Sequence, residues 1–529
     1  MERSLPPSPT AATGRRHLPS LAGRHVVFLN WRDQAHPQAG GAELFCQSIA
    51  ERFAAAGARV TLLTSRPAAQ EGMAALPAES VRGVEVRRGG GTFGVYPAVL
   101  ARLASLGRAG HHVDAVVDCQ NGIPFFSPMV LAGRTPIVQV LHHVHQKQFP
   151  LYFPAPVARV GQVLEAPGSR LVYRRRPVVV VSPSTRAEAR TVLGLPGPRY
   201  LVPNGVTSTV PAMPGADADA GIATDGGPAV TPTIVCVGRL VPHKRLHLLL
   251  DALPALAAAH PGLSVHIVGD GPDRDRLHAH AASLGLGETG GVLRWHGYVD
   301  AAVRDRLLSS AWLTVNPSHG EGWGLSVLEA AALGVPAVAY RVPGLRDAVR
   351  DGTTGWLVED GVPLGPTLDA ALRTLSDPLA ATRVRAAARA WAAGFTWDAS
   401  AELLARVVSA EIDRLAGQGH APRERRRVDD ELTHATFTLP PGAPAPSLRR
   451  TDLLYRPDSA GSEMVAVLYG ADEHAARAAL ARAGVESRPS LRPGTGEDLL
   501  LAAAHATAKP AVPGPAGAGA HGGVRAVAR

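Results

Sequence analysis

Near its start the chain sets out an apolar run, a glycine pair, a helical period and then a second apolar run. Residues 25–30 (HVVFLN) are strand-like, Gly40 and Gly41 permit a close backbone approach, and residues 42–56 carry the spacing of an amphipathic helix. Gly57 closes that helix and residues 59–64 (RVTLLT) form the next run. A strand–helix–strand unit lays its second strand parallel to the first, and parallel strands are covered on both faces. The pattern therefore restricts the fold to a layered α/β sheet. Runs at 84–87, 115–118, 137–141 and 178–181, most of them separated by helical patterns, extend it into a doubly wound domain over residues 24–205.

A second alternation follows. Residues 206–232 are rich in Ala, Gly, Pro, Asp and Thr without a period, and read as a linker or insertion. Strand-like runs at 233–238, 264–268, 292–295, 311–316, 337–340 and 355–358 then alternate with helical stretches, giving a second doubly wound domain over 233–395. Two cores suit a chain of 529 residues. A helix at 400–415 is preceded by Phe395-Thr-Trp397. Residues 1–23 are polar and proline-bearing, as in a flexible tail. Residues 417–529 form an extension, with one strand at 463–469 and one helix at 473–483. From Ala502 the chain is Ala/Gly/Pro-rich and expected to be disordered.

Composition excludes several classes. No apolar stretch reaches the length of about 18 residues that a membrane-spanning helix needs. The first twenty residues hold no apolar segment of the secretory kind, so a cytoplasmic protein is expected. Cys46, Cys119 and Cys236 stand far apart and make neither a disulfide framework nor a zinc pattern. The formal charge of +9 allows an anionic partner, but no zinc-finger spacing or basic-aromatic motif points to nucleic acid. Arginine supplies nearly all of that charge. Only three lysines occur, at 147, 244 and 509, so a lysine in a motif stands out.

Two stretches of the second domain carry chemistry. Residues 238–244 (GRLVPHK) follow its first strand, and ligands of open α/β sheets bind beyond the strands' carboxyl ends. Arg239 and Lys244 at that edge, beside a helix start, suit a diphosphate. Residues 319–330 (HGEGWGLSVLEA) follow the strand at 311–316, with Glu321 and Glu329 eight positions apart. Gly322 and Gly324 flank Trp323, and a helix runs from 325 to 333. Glu329, one turn into it, can hold two adjacent hydroxyls, while Glu321 faces another part of the same ligand. A solvated turn with acids suiting the helix dipole accommodates these residues as well.

The ordered set decides between those readings. Arg239 with Lys244, then residues 269–272 (GDGP), then Glu321 and Glu329 resemble glycosyltransferase family 4. Residues 40–43 (GGAE), 203–206 (PNGV) and 395–397 (FTW) also match, so the resemblance covers about residues 24–415. It implies a GT-B fold, two Rossmann-like domains facing a central cleft, with residues 396–416 as a helix crossing back to the first domain. It implies a retaining transferase that moves a hexose-type sugar from a nucleotide-sugar donor, without a metal or other cofactor, to a glycan, lipid-linked or small-molecule acceptor.

The roles follow from the same resemblance. Arg239 and Lys244 neutralise the diphosphate, Glu329 holds the ribose and Glu321 the sugar. Gly322, Trp323, Gly324 and Leu325 approach through their backbone, Tyr298 lies near the base, and Gly40 and Gly41 close from the first domain. His142 matches the histidine that such enzymes place near sugar and acceptor, with His143 second. Asp118, Asn121 and Lys147 are candidates for the acceptor side, and core packing explains Phe125 and Phe126 equally. The basic run at 173–177 (YRRRP) can touch anionic headgroups, although a solvated helix end explains it too. A nucleotide-sugar epimerase of this fold should lack the ordered set. A silent sugar-nucleotide-binding scaffold should not need it. A Rossmann oxidoreductase would show G-x-G-x-x-G after the first strand, which is missing.

Overall fold

The computed structural model describes residues 21–505 apart from 68–75, 109–111, 208–227, 287–290, 418–431 and scattered positions between 441 and 488. The first domain is an eight-stranded sheet. Its order is Ala78–Val81, Val84–Gly89, Arg59–Ser65, His25–Leu29, Ala115–Asn121, Ile137–His143, Val178–Val180, Arg199–Leu201. All neighbours are parallel except Ala78–Val81, which folds back on Val84–Gly89. The edge strand Ala78–Val81 and the closing strand Arg199–Leu201 are short and partly polar, and did not stand out as apolar runs. The central strands are buried on both faces, which is why they read as unbroken apolar stretches.

The second domain is a six-stranded, wholly parallel sheet. Its order is Leu293–Gly297, Ser264–Val268, Thr233–Val237, Leu313–Asn316, Ala337–Tyr340, Gly355–Val358. The expectation of two doubly wound domains around a cleft is met.

Two connections cross between the domains, and they lie against each other. Val206 N donates to Phe395 O at 2.9 Å, and Ser400 Oγ donates to Pro203 O at 2.6 Å. A side chain on Gly205 would put its Cβ 2.2 Å from Trp397 N, so only glycine fits this joint. The helix Trp397–Leu415 then runs onto the first domain, where Arg52 Nε bonds Asp398 Oδ1 at 2.6 Å and Trp397 packs edge-on to Phe45.

Both ends of the chain depart from expectation. Leu21, assigned to the tail, is buried, because Gly23 N bonds Gly57 O and brings the chain onto the core. The extension holds four strands rather than one, an antiparallel sheet ordered Leu453–Tyr455, Glu463–Tyr469, Leu432–Thr438, Ser490–Pro493. Helices Glu473–Arg482 and Gly496–His505 accompany it. Ala502 and Ala503, expected to be disordered, are buried in the second of these. Alanine-rich sequence also has the best helix propensity, and here it finds a surface to pack on. The basic cluster at 423–427 and the stretch beyond 505 lie outside the described residues.

The extension docks on both domains. Arg186 of the first stacks over the Tyr469 ring at 4.2 Å, and Pro183 abuts Gly496. Arg350 of the second pairs with Glu497 at 2.6 Å, and Gly394 abuts Ala504. Among the described residues no helix is long and apolar enough to cross a membrane.

Candidate active site

Among its parallel strands each sheet reverses its order once, and those two reversals build the site. In the second sheet the reversal falls between Thr233–Val237 and Leu313–Asn316. Loops leaving these neighbouring strands diverge and open a crevice at their carboxyl ends. One loop carries Arg239 and Lys244, the other Ser318, Glu321 and Gly322. In the first sheet the reversal falls between His25–Leu29 and Ala115–Asn121. Gly40 and Gly41 follow the one strand. Asn121 ends the other, its Nδ2 donating to Asn30 Oδ1 at 3.0 Å.

Lys244 and Glu321 meet directly: the ammonium pairs with Glu321 Oε1, and Ser318 Oγ donates to the same oxygen at 2.7 Å. Burial pushes the Glu321 carboxyl up, but Lys244 and Ser318 outweigh it and hold it at about 2. Arg239 is exposed, and its charge reaches Arg32, Glu43 and Tyr152 of the first domain. Glu329 lies in the helix Leu325–Ala332, with Arg304 Nη1 3.6 Å from its Oε1. Burial raises the Glu329 carboxyl, and Arg304 opposes that rise. Tyr298 is 74% exposed and close enough to Arg304 for its charge to be felt.

The glycine loop is held from the first domain. A Cβ on Gly322 would stand 1.9 Å from the His142 carbonyl oxygen, so the loop passes where no side chain fits. Thr185 Oγ1 donates to Gly322 O at 3.2 Å. Nearby, Ser184 N bonds Asp347 Oδ2 at 3.0 Å and Arg346 Nε bonds Ser184 Oγ at 2.8 Å. Gly41 faces Leu325 across the cleft, its would-be Cβ 3.5 Å from Leu325 Cδ2. Trp323 turns its ring away from the loop onto Phe395, edge-on at 5.1 Å.

The two histidines exchange places relative to expectation. The His142 ring is buried edge-on against Phe45 at 5.0 Å, on the side of the sheet covered by the helix Gly41–Ala55. His143, on the opposite face, lies beside Gly320 and the backbone of Glu321. Gln148 Nε2 donates to its Nε2 at 2.8 Å. The physical reason is register. The strand extends to His143 and bulges against Gln120–Asn121, which skips His142 in the pairing, and the second histidine takes the cleft side. Burial, and then the neighbouring His145, pull both imidazoles down to about 3.

Asp118 also leaves the acceptor side. It is fully buried, and its carboxylate accepts from Phe125 N, Ser127 N, Ser127 Oγ and the Tyr173 hydroxyl. It braces the turn that follows its strand, and Phe125 packs in the same core. Lys147 is exposed, with its charge felt by Glu188. Sequence reasoning passed over Arg304, Ser318, and the Tyr152–His243 hydrogen bond that crosses the cleft beside Lys244. Ser318 stood in the turn before Glu321; Arg304 has no local signature, since only folding brings its helix to Glu329. Among the described residues no three His, Cys, Asp or Glu side chains gather as a metal site.

Two parallel-sheet domains meeting over a cleft, with a cation pair and two acids at the switch point of the second, define the GT-B class of glycosyltransferases. The Glycosyltransferase Family 4 description matches residues 39–209, and Glycosyl transferases group 1 matches 227–391. A D-inositol 3-phosphate glycosyltransferase of Kineococcus radiotolerans is 31% identical over 427 residues, 73% of this chain and 94% of that protein. A GDP-mannose-dependent alpha-(1-6)-phosphatidylinositol monomannoside mannosyltransferase of Mycolicibacterium smegmatis is 34% identical over 242 residues, 44% of this chain. That match spans 62% of the relative's length, less than two thirds. The solved sucrose-phosphate synthase of Thermosynechococcus elongatus shares the fold at TM-score 0.60 and 21% identity, over 73% of this chain and 98% of its own. The chain belongs to the group 1 glycosyltransferases of family 4 type.

Proposed function

We propose that the chain transfers a hexose-type sugar from a nucleotide-sugar donor, with retention at the anomeric carbon, to a glycan, lipid-linked or small-molecule acceptor. The observation that carries this reading is the switch-point crevice that Arg239 and Lys244 line, where Lys244 pairs with Glu321 and Gly41 faces Leu325 at the start of the helix that holds Glu329. In it the donor diphosphate lies between Arg239 and Lys244. The ribose lies on Glu329, the base near Tyr298, and the sugar against Glu321 and the backbone of 322–325. Charge grows on the diphosphate as the glycosidic bond breaks, and fixed cations stabilise it most where water is excluded. Those cations make the transfer independent of a divalent metal.

Retention is supported by the weakness of the bases at hand. Glu321 is held at about 2 and His143 at about 3, so neither takes a proton readily at neutral pH. In a same-face displacement the departing phosphate oxygen accepts the acceptor's proton, and the new glycosidic bond forms on the face the phosphate leaves. His143 orients sugar or acceptor without acting as a strong base. The names of the two relatives, one for inositol phosphate and one for a phosphatidylinositol mannoside, support a polyol or lipid-linked acceptor.

A panel of nucleoside diphosphate sugars tests the reading. The cognate donor should raise stability by about 2.7 kcal/mol at a hundredfold excess over its Kd. It should also be slowly hydrolysed, releasing a sugar of the donor's own anomeric form. Stabilisation by none of them would reject a donor site, and an epimerised product would make the protein an epimerase.

A further inference from the structure

The cleft uses the carboxyl ends of the second sheet's strands. At their amino ends the same sheet borders a separate cavity of about 390 Å³. It lies where Thr233–Val237 and Ser264–Val268 begin and where the chain enters Leu293–Gly297. Small-molecule sites have volumes of roughly 300–1,000 Å³. Ala257, Gly262 and Gly291 bring little or no side chain to the wall, and a Cβ on Gly291 would meet nothing within 4 Å. Ser310 borders the cavity too. It ends the helix Ala301–Ser310, whose first half holds Arg304 beside Glu329, so the helix runs from the cleft to the cavity.

The polar groups of the wall favour an anion. On Ser264–Val268, alternation sends Val265 and Ile267 into the main core and turns His266 to the opposite face. Arg294 is its register partner on the next strand. A buried imidazole costs free energy unless its nitrogens are bonded, and both are. Ser264 Oγ lies 3.0 Å from His266 Nε2, and His296 Nε2 lies 2.9 Å from His266 Nδ1. In one tautomer of this chain His266 Nε2–H donates to Ser264 Oγ, and the hydroxyl hydrogen is free to donate into the cavity. Burial, and then His296 and Arg294, pull His266 down to about 4, so its ring is uncharged at neutral pH. Among the described residues Arg294 is then the one charged side chain on the wall, and no carboxylate lines it. A guanidinium matches phosphate oxygens with its fork of donors. Thr231 and Thr233 bring further hydroxyls, which suit those of a sugar or polyol. No Phe, Tyr or Trp among the described residues lines the cavity, so a nucleotide base would have no such ring to stack on.

We propose that this cavity is a second ligand site for a small phosphorylated sugar or polyol, with the phosphate on Arg294 and Ser264 and the hydroxyls toward Thr231 and Thr233. The inference goes beyond the proposed transfer and stands whichever donor is used.

The test is calorimetry on the full chain with glucose 6-phosphate, glycerol 3-phosphate, glucose and inorganic phosphate. At least one of the two esters should bind, and more tightly than glucose or inorganic phosphate. R294Q should weaken that binding at least about tenfold, the loss expected for a hydrogen bond to a charged group. A257F, which fills the cavity without changing its charge, should abolish it. Arg294 is exposed, so R294Q should melt as wild type does, and it decides the matter alone if A257F fails to fold. Lys244→Met should leave ester binding unchanged. Binding of neither ester would overturn the proposal. So would loss in Lys244→Met with retention in R294Q, which would put the ester in the cleft. Inorganic phosphate bound as tightly as the esters would overturn it too, leaving an adventitious ion only.

Discussion

Replacing Lys244 with methionine probes the site most directly, because it removes two interactions at once. Without donor, the ammonium neutralises Glu321; in the proposed function it serves the diphosphate once donor is bound. The first contribution can be sized from the structure. Glu321 is brought from an ordinary 4.5 to about 2 in spite of burial, and each tenfold change in acidity is worth about 1.4 kcal/mol, which gives about 3 kcal/mol. A carboxyl held low contributes stability that is present above its unfolded value and lost as pH falls from 4.5 to about 2. Lys244→Met should therefore cost about 3 kcal/mol at neutral pH, within the range for breaking a largely buried pair, and should lose that acid-side dependence. The second contribution appears in turnover, where loss of one transition-state donor is worth a factor of about 100 or more. Adding Glu321→Gln separates them. Denaturant melts of the double variant should recover most of the stability, and a donor-hydrolysis assay should find kcat still depressed at least about 100-fold. Restoration of turnover by the second substitution would refute the diphosphate assignment, because Lys244 would then serve only to neutralise Glu321.

Three further outcomes are expected. Glu329→Gln should weaken binding of the bare nucleoside diphosphate about tenfold by calorimetry, whereas Glu321→Gln should leave it nearly unchanged while slowing transfer; equal losses would reject the division between ribose and sugar. His143→Ala should lower transfer by about tenfold to a thousandfold with little change in nucleotide affinity, and His142→Ala should mainly lower stability, since its ring fills space against Phe45; the reverse ranking would restore the sequence-based choice. Unfolding free energy should also fall as pH drops from 6.5 toward 3. The unfolded chain protonates its histidines near 6.5 while folded His142 resists until about 3. His142→Phe should flatten that fall by about 1.4 kcal/mol per pH unit, and an unchanged slope would exclude the buried imidazole as its source.

The sequence showed the strands of both sheets well because parallel strands are buried on both faces and therefore apolar throughout. It showed the short edge strands Ala78–Val81 and Arg199–Leu201 poorly because polar residues interrupt them. The second-domain residues were legible for a topological reason: the strands flanking a switch point send both loops to one crevice, so Lys244 and Glu321 meet across 77 positions. Which of two adjacent histidines faces that crevice depends on a one-residue register, and period-2 alternation inverts the answer for each residue of slip. Asp118 misled for a related reason, since a carboxylate at a strand end can be turned inward to brace a turn as readily as outward to bind. Arg304 was invisible because its partner Glu329 is reached only through the tertiary fold.

The extension's grip on both lobes makes it a load shared across a hinge. Any rotation about the joint at Gly205 and Trp397 has to slide the helix Gly496–His505 along Pro183 or pull Glu497 from Arg350. Such exposed pairs are individually weak, about 1 kcal/mol or less, yet 1 kcal/mol shifts a two-state balance about fivefold. The resting gap between the lobes is then set partly by sequence outside the loops that build the cleft. Cutting the chain after Gly417 would release that load, and a wider or broader distribution of lobe separations in X-ray scattering would register it directly.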